Sequence, residues 1–187
     1  SGLFNIVYSG VMKSSQNPIM LWKVLADLCK SNESFKNDLK IKLIGDFDSS
    51  IFKNKNIIEL EKKVSFIGYA SKLNLNTHLC ESSVFLLCDI NDFKGGNLIP
   101  GKFYDYLSYK IPIIAFSSKN SDTYNIVKET GSGNVFDFSN EFDLKNHILE
   151  LYSNFKNNKL ILNKNSSDKY LISNLTLELN KLLKKLI

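Results

Sequence analysis

The segment that most clearly defines the fold spans residues 84–116 and reads VFLLCDINDFKGGNLIPGKFYDYLSYKIPIIAF. It opens with the apolar run 84–88 and closes with the apolar run 111–116. A glycine-containing loop and a predicted helix over residues 100–110 lie between them. Short, continuously apolar strands separated by helices are typical of a parallel sheet covered on both faces. The segment therefore predicts one strand–helix–strand unit of an α/β fold.

The same alternation continues on both sides of this segment, about six times in all. Strands are predicted over residues 4–9, 39–45, 64–68, 84–88, 111–116 and 134–138. Asn17 is expected to cap the first helix with Pro18 at its first position, and Gly131 to end a later helix. We expect an α/β, Rossmann-like, doubly wound parallel sheet of about six strands in three α/β/α layers. Residues 1–165 would form this domain, and residues 166–187 an amphipathic C-terminal helix.

Composition and charge argue against several classes of protein. The chain has 187 residues, enough for one domain with a full core, and its net charge of +5 comes from lysine because it contains no arginine. The lysines are scattered among acidic residues, whereas nucleic-acid binders cluster basic residues, so we expect no nucleic-acid partner. No stretch approaches the roughly 18 apolar residues of a membrane span. Cys29, Cys80 and Cys88 lack metal-site spacing, which favours buried thiols in a reducing cytoplasm and no bound metal.

Glycines mark the strand ends at which a ligand would bind. In doubly wound sheets, ligands lie beyond the carboxyl ends of the strands, near the point where the strand order reverses. Gly10 follows a predicted strand directly, Gly45 and Gly68 are the last residues of two others, and Gly95-Gly96 lies further along the fourth loop. Glycine lets a ligand approach the backbone closely, but strand–helix turns also use glycine for geometry alone. Both interpretations stay open.

The loop before residue 102 has the features of an anion site. Pro100 and Gly101 lead into a helix, whose first N–H groups and dipole favour a bound anion. Lys102 lies in the first turn, where a cation is unfavourable unless an anion such as phosphate is bound. Asp105 follows one turn later, within reach of the hydroxyl groups of such a ligand. The pattern suits a nucleotide sugar, and the alternative for Asp105 is an ordinary solvated helix residue.

The block of residues 100–112 resembles the donor-site motif of family 4-type retaining glycosyltransferases of the GT-B fold. It carries a proline-glycine-lysine helix start, an acidic residue, Tyr-Leu and a Pro-Ile-Ile strand. Residues 7–18 are similar to that family's first strand, loop and helix start. Further matches follow in order over residues 42–45, 64–69, 82–87 and 122–133, so the resemblance covers about residues 4–155. It implies that the chain is the C-terminal, donor-binding domain and that an N-terminal acceptor-binding domain precedes Ser1.

The resemblance also implies roles for individual residues in donor binding. Asp105 falls where an acid contacts the ribose hydroxyls, and Asn97 stands in place of the family's first acid, where an amide can still bind a sugar hydroxyl. The backbone of residues 97–100 would hold the diphosphate, and residues 67–69 would flank the base. The donor-binding set is Gly10, Lys13, Gly45, Ile67, Gly68, Tyr69, Asn97, Leu98, Ile99, Pro100, Lys102 and Asp105.

Two lysines are candidates for the cation that contacts the phosphates. Val11 occupies the position of the family's usual arginine, which leaves Lys13 as the first candidate and Lys102 as the second. Lys13 could equally be a surface lysine. These two residues are also the closest candidates for a catalytic group, and the catalytic residue itself stays unassigned.

The implied reaction is metal-independent transfer of a glycosyl group, with retained anomeric configuration, in surface polysaccharide or glycolipid assembly. The donor would be a UDP- or GDP-type sugar, which is a substrate, so no cofactor is expected. Asp46-Phe-Asp48 has the spacing of a metal-binding pair, but we expect it to cap the next helix. The chain without its acceptor-binding domain is expected to bind donor and to be inactive.

Several alternatives stay open. A nucleotide-sugar epimerase relative would need acid–base residues near the glycine loops, where His and Glu are missing. A non-catalytic or degenerate nucleotide-binding module fits the uncharged Asn97 and Val11. A receiver-like regulatory domain would need acids at the first strand end, which Ser9-Gly10 lacks. The last helix could pack on this domain or on the acceptor-binding domain, or its lysine- and leucine-rich end could contact an anionic membrane at the inner face.

Overall fold

A parallel β-sheet forms the centre of the protein. The structure is a computed structural model that describes residues 2–89, 99–160, 162 and 167–185. Within these residues the sheet has six strands, namely β1 (Phe4–Ser9), β2 (Leu39–Ile44), β3 (Val64–Ile67), β4 (Val84–Cys88), β5 (Ile113–Phe116) and β6 (Gly133–Phe136). Their order is β3-β2-β1-β4-β5-β6, and every neighbouring pair is parallel. The predicted doubly wound, Rossmann-like sheet is confirmed.

Helices cover both faces of the sheet. They are α1 (Ile19–Ser31), α2 (Glu33–Asp38), α3 (Ser49–Phe52), α4 (Lys55–Glu59), α5 (Lys72–Cys80), α6 (Lys102–Ser108), α7 (Asp122–Thr130), α8 (Glu141–Lys156) and α9 (Ile172–Leu183), with 3-10 turns at Ser14–Gln16 and Asp168–Tyr170. Successive side chains of a strand point to opposite faces, so Ile6 and Tyr8 pack in the layer of α1 and α8. Val7 packs in the opposite layer, with α6 and α7. The three-layer arrangement follows from this alternation.

The first helix begins later than the sequence predicts. Asn17 was expected to cap it, but α1 starts at Ile19 and Pro18 occupies the cap position. The Asn17 side chain is instead engaged in a tertiary contact, because its Oδ1 accepts a hydrogen bond of 2.7 Å from the indole Nε1 of Trp22. The expectation for Asn17 was therefore wrong. The end at Gly131 is confirmed, since this residue caps α7 in the left-handed conformation, with φ 60°.

Two glycines lock the ends of β1 and β2 together. Gly10 and Gly45 have φ values of 109° and 124°, a region that favours glycine. The N–H of Gly10 donates to the carbonyl of Ile44 at 2.8 Å, and the N–H of Met12 donates to Asp46 at 2.9 Å. A β-carbon at Gly45 would lie only 2.3 Å from the carbonyl oxygen of Gly10. The loop that follows β1 is therefore held against the loop that follows β2.

Helix α9 does not bury its apolar side chains within the described part of the chain. None of its residues is buried, and Leu177, Leu179 and Leu182 are each more than half exposed. The role predicted for the C-terminal helix, whether in domain packing or in membrane contact, stays a prediction. None of the helices among the described residues combines the length and the hydropathy that a membrane span requires.

Candidate functional site

A cleft opens at the carboxyl ends of β1 and β4. The chain passes from β1 through β2 to β3 on one side and then returns to β4 on the other side of β1. The loops after β1 and β4 therefore diverge, which is where doubly wound folds bind ligands. The cleft has a volume of about 390 Å³ and is lined by Ser9, Gly10, Val11, Gln16, Leu75, Pro100, Gly101, Lys102 and Asp105.

Lys102 contributes a positive charge to the wall of this cleft. It is the first residue of α6, and its Nζ lies 3.4 Å from the centroid of the Tyr8 ring. Burial lowers the pKa of Lys102 to about 8, while the nearby carboxylate of Asp89 opposes this shift. The face of an aromatic ring also favours the protonated form. At neutral pH the side chain is therefore mainly a partly desolvated ammonium.

Helix α6 is anchored to the end of β1 by a buried tyrosine. The backbone N–H of Ser9 donates to Oη of Tyr106 at 2.9 Å, and the Ser9 hydroxyl lies 3.1 Å from the same oxygen. The Tyr106 ring stacks on Phe85 of β4, with ring centroids 4.2 Å apart. Burial raises the pKa of Tyr106, so it stays a neutral phenol. These contacts fix Lys102 and Asp105 at the cleft.

Asp105 offers a carboxylate to the cleft. The residue is exposed, lines the cleft and lies one turn after Lys102 on α6. Among the described residues its carboxylate has no hydrogen bond or ion pair; its backbone carbonyl accepts a bond of 2.6 Å from Ser108 Oγ. The carboxylate is therefore available to hydroxyl groups of a ligand.

The backbone before α6 offers fewer free N–H groups than a long helix would. The N–H of Phe103 donates to Pro100 at 2.9 Å, and that of Tyr104 donates to Gly101 at 3.2 Å. Within the described residues, the N–H groups of Gly101 and Lys102 donate to no acceptor. Of the residues expected to cradle a diphosphate, Ile99 and Pro100 are half-buried and Pro100 lines the cleft. Asn97 and Leu98, expected in the same cradle, lie outside the described residues.

The two lysine candidates occupy different places. Lys13 is exposed and does not line the cleft, and its backbone N–H donates to Gln16 Oε1 at 3.0 Å. Gln16 in turn donates through Nε2 to the carbonyl of Cys88 at 3.0 Å and so joins the β1 and β4 loops. Of these two candidates, Lys102 is the one that lines the cleft. A phosphate contact by Lys13 stays a prediction.

The residues expected around the base do not line the cleft. Ile67 ends the edge strand β3, Gly68 and Tyr69 follow it, and the Tyr69 side chain is 96% exposed. They connect to the site indirectly, because the N–H of Gly45 donates to the carbonyl of Ile67 at 2.8 Å. Leu75 of α5 lines the cleft instead. The sequence did not single out Leu75, since a leucine in a helical pattern is typical of core packing.

Two aspartates near the strand ends have local structural roles. Asp48 accepts a hydrogen bond from the Ser50 N–H at 2.9 Å and caps α3, as the sequence predicted. Asp89 follows β4 and accepts a bond of 2.5 Å from the Ser117 hydroxyl. Burial raises the pKa of Asp89, and its hydroxyl neighbours oppose the rise. No group of three His, Cys, Asp or Glu residues in the described ranges is arranged to hold a metal ion.

The family comparison accounts for nearly the whole chain. The family model described as glycosyl transferases group 1 matches residues 2–169. No curated protein sequence matches the chain.

Solved structures share the fold over most of the chain. One is the catalytic domain of the cholesterol-α-glucosyltransferase from Helicobacter pylori, with a TM-score of 0.63 and 18% identity over 93% of this chain and 98% of that chain. HepE from Anabaena in complex with UDP has a TM-score of 0.70 and 12% identity, covering 98% of this chain and 49% of that one. The pneumococcal O-GlcNAc transferase GtfA in complex with UDP and GlcNAc has a TM-score of 0.69 and 13% identity, covering 98% and 36%. This chain thus spans about half or less of the last two proteins.

Proposed function

The chain belongs to the glycosyl transferases group 1 family, and on that premise we propose that it binds the nucleoside-diphosphate sugar donor of a retaining glycosyltransferase. The observation that carries the proposal is the pairing of Lys102 and Asp105 on one turn of α6, at the cleft between β1 and β4. A cation suits the diphosphate, and an exposed carboxylate one turn away suits the ribose diol. The two groups match the two polar ends of one ligand.

The chemistry follows from the placement of Lys102. When the glycosyl group leaves the donor, negative charge develops on the departing diphosphate. An ammonium already fixed in a partly desolvated cleft stabilises that charge without reorganisation, and the N–H groups of Gly101 and Lys102 can add hydrogen bonds. In this proposal no metal ion takes part.

The rest of the reaction requires residues beyond this chain. We propose that an acceptor-binding domain precedes this chain in the full-length protein, as the family resemblance implies. The shares of HepE and GtfA that this chain spans, 49% and 36%, support the presence of a further domain. We propose that the chain alone binds donor and transfers nothing, and that the full-length protein works in surface polysaccharide or glycolipid assembly. HepE and GtfA are both solved with UDP, which favours a UDP-type over a GDP-type donor here.

The epimerase alternative is less well supported by the cleft. Inversion at a sugar carbon through proton transfer requires an acid–base pair at the sugar. Among the described lining residues, only Lys102 and Asp105 are charged, and the role of each is accounted for by the donor. The transferase assignment therefore needs fewer additional groups.

Calorimetric titration of the chain with UDP, GDP and UDP-glucose tests the proposal. We expect Asp105→Ala to weaken binding of the preferred nucleotide about tenfold or more, because hydrogen bonds to a charged group contribute about 1.5–3 kcal/mol. The control is Glu178→Ala, which removes an exposed carboxylate of α9 that does not line the cleft. Unchanged affinity in Asp105→Ala would refute the ribose contact, and no binding of any nucleotide would refute the donor site.

A further inference from the structure

The Lys102 ammonium is a half-buried cation without an anionic partner in the part of the chain described. Its nearest recorded partner is an aromatic ring, at 3.4 Å from Nζ to the Tyr8 centroid. Within these residues no carboxylate oxygen lies within 4.0 Å of it, and it donates no hydrogen bond. A desolvated charge is costly unless an opposite charge or hydrogen bonds compensate it. The ammonium is therefore placed for an anion that none of the described residues supplies there.

The route of the Lys102 side chain explains how it reaches Tyr8. Lys102 starts on α6, which covers one face of the sheet, whereas Tyr8 packs in the layer on the opposite face. The side chain crosses the end of β1 at Gly10: a β-carbon at Gly10 would lie 3.7 Å from its Nζ and 3.8 Å from its Cδ. Gly10 lines the cleft, so the ammonium lies at the cleft wall.

Tyr8 is held rigidly in this position. Its hydroxyl donates to the carbonyl of Val11 at 2.6 Å, and its ring packs against Phe47 with centroids 5.9 Å apart. The residue is fully buried, and burial raises the pKa of its phenol, so it carries no charge. Tyr8 thereby holds both the ammonium and a backbone carbonyl of the cleft-lining loop.

The other titratable groups around the ammonium do not replace the ring. Cys88 is buried, which raises the pKa of its thiol and keeps it neutral. Asp89 accepts a hydrogen bond from Ser117, and Asp105 is an exposed residue that lines the same cleft. The contact that fixes the position of the ammonium is therefore the Tyr8 ring.

We propose that Tyr8 is a positioning residue of the donor site: its ring face holds the Lys102 ammonium beside Gly10, where the diphosphate of the donor binds. The inference rests on the proposed function and deepens it, since it assigns the diphosphate end of the cleft to a lysine–tyrosine pair. The ring attracts the cation less strongly than a phosphate does, so the ammonium can turn to the phosphate oxygens when the donor enters. Donor affinity then depends on the ring and on the protonation of Lys102.

The test compares Tyr8→Leu, Tyr8→Phe and Lys102→Met with the unaltered chain. UDP-glucose is the probe because its diphosphate keeps a constant charge between pH 7 and 9.5, and uridine is the control ligand without phosphates. We expect Tyr8→Leu to lose about tenfold in affinity for UDP-glucose at pH 7 and to bind uridine unchanged. Tyr8→Phe keeps the ring, so it should bind UDP-glucose within about twofold of the unaltered chain.

The pH profile separates positioning from a merely structural role. In the unaltered chain, affinity for UDP-glucose should fall as pH rises through about 8, the pKa to which burial lowers Lys102. Lys102→Met should abolish this dependence, and Tyr8→Leu should move its midpoint. Equal losses for UDP-glucose and uridine in Tyr8→Leu, with the midpoint unchanged, would overturn the inference and leave the donor site intact. No binding of UDP-glucose by the unaltered chain would overturn both.

A second measurement applies even if Tyr8→Leu does not fold. In a chain labelled with ¹³C-lysine, the Hε protons of Lys102 should show an upfield ring-current shift, assigned by its loss in Lys102→Met. Tyr8→Phe should retain the shift. Lys102 signals at the positions of exposed lysines in the unaltered chain would contradict the proposed contact.

Discussion

Substituting Gly45 by alanine should destabilise the protein more than the same substitution at Gly131 or Gly68. Gly45 has φ 124°, and an added β-carbon would lie 2.3 Å from the carbonyl oxygen of Gly10 and 2.9 Å from its carbonyl carbon. Backbone hydrogen bonds restrict movement of both strand ends. The N–H of Gly10 donates to the carbonyl of Ile44 and the N–H of Gly45 donates to the carbonyl of Ile67, each at 2.8 Å. The substitution therefore forces β1 and β2 apart at the edge of the cleft.

The structure gives the size of the effect and two matched controls. Strain at such a φ costs about 1–3 kcal/mol, and the clash with backbone adds about 1–3 kcal/mol, so we expect a total near 4 kcal/mol. Gly131→Ala shares a positive φ of 60° but has nothing within 4 Å of the new β-carbon, so it should lose only about 1–2 kcal/mol. Gly68→Ala has neither strain nor a contact within 4 Å and should stay within about 0.5 kcal/mol of the unaltered chain.

Urea unfolding followed by circular dichroism measures the three free energies of unfolding. Gly45→Ala should also weaken UDP-glucose binding, because Gly10 lines the cleft. A loss of stability in Gly45→Ala no larger than that in Gly131→Ala would refute the reasoning, since the strand ends would then be free to adjust.

Two further predictions concern charge and the last helix. The folded pKa of Lys102, about 8, lies below its ordinary value of 10.5, so the unfolded chain binds more protons between these values and stability rises with pH there. Urea unfolding gives the free energy of unfolding of Lys102→Met relative to that of the unaltered chain. This difference should fall by up to about 3 kcal/mol between pH 7 and pH 10.5, because the unaltered chain gains stability there. A difference that does not change with pH would contradict the lowered pKa of Lys102. If the exposed leucines of α9 contact anionic membranes, the chain should sediment with phosphatidylglycerol vesicles. The double variant Leu179→Asp, Leu182→Asp should not sediment, and its free energy of unfolding should change by less than about 0.5 kcal/mol. Equal sedimentation of the double variant, or none by the unaltered chain, would refute that contact.

The strands at the centre of the sheet could be predicted because they are largely apolar runs that are buried on both faces. The runs at β1, β4 and β5 are buried along their whole length, which is the environment that such sequences require. The start of α1 was missed for a tertiary reason. Asn17 has a strong intrinsic preference for capping, but the buried indole of Trp22 needs an acceptor and takes its side chain.

The site was only partly predictable because side-chain direction is set by the fold. Lys102 and Asp105 were recognised from their spacing, but nothing local indicates that Lys102 crosses the strand end at Gly10. Tyr8 was overlooked because an aromatic residue inside an apolar strand is typical of a core, and Tyr8 does lie in the core. Its second use, through the face of its ring, depends on a helix almost a hundred residues away in the sequence.

Amide chemical shifts during titration with UDP-glucose test the central claim most directly. The structure contains a second cavity of about 470 Å³ beside β6, which includes Gly133 and Asn134. In the ¹⁵N-labelled chain, UDP-glucose should shift the amide signals of Gly10, Lys102 and Asp105 and leave those of Gly133 and Asn134 unchanged. Shifts confined to the β6 cavity, with the signals of the β1–β4 cleft unmoved, would contradict the assignment of the cleft as the donor site.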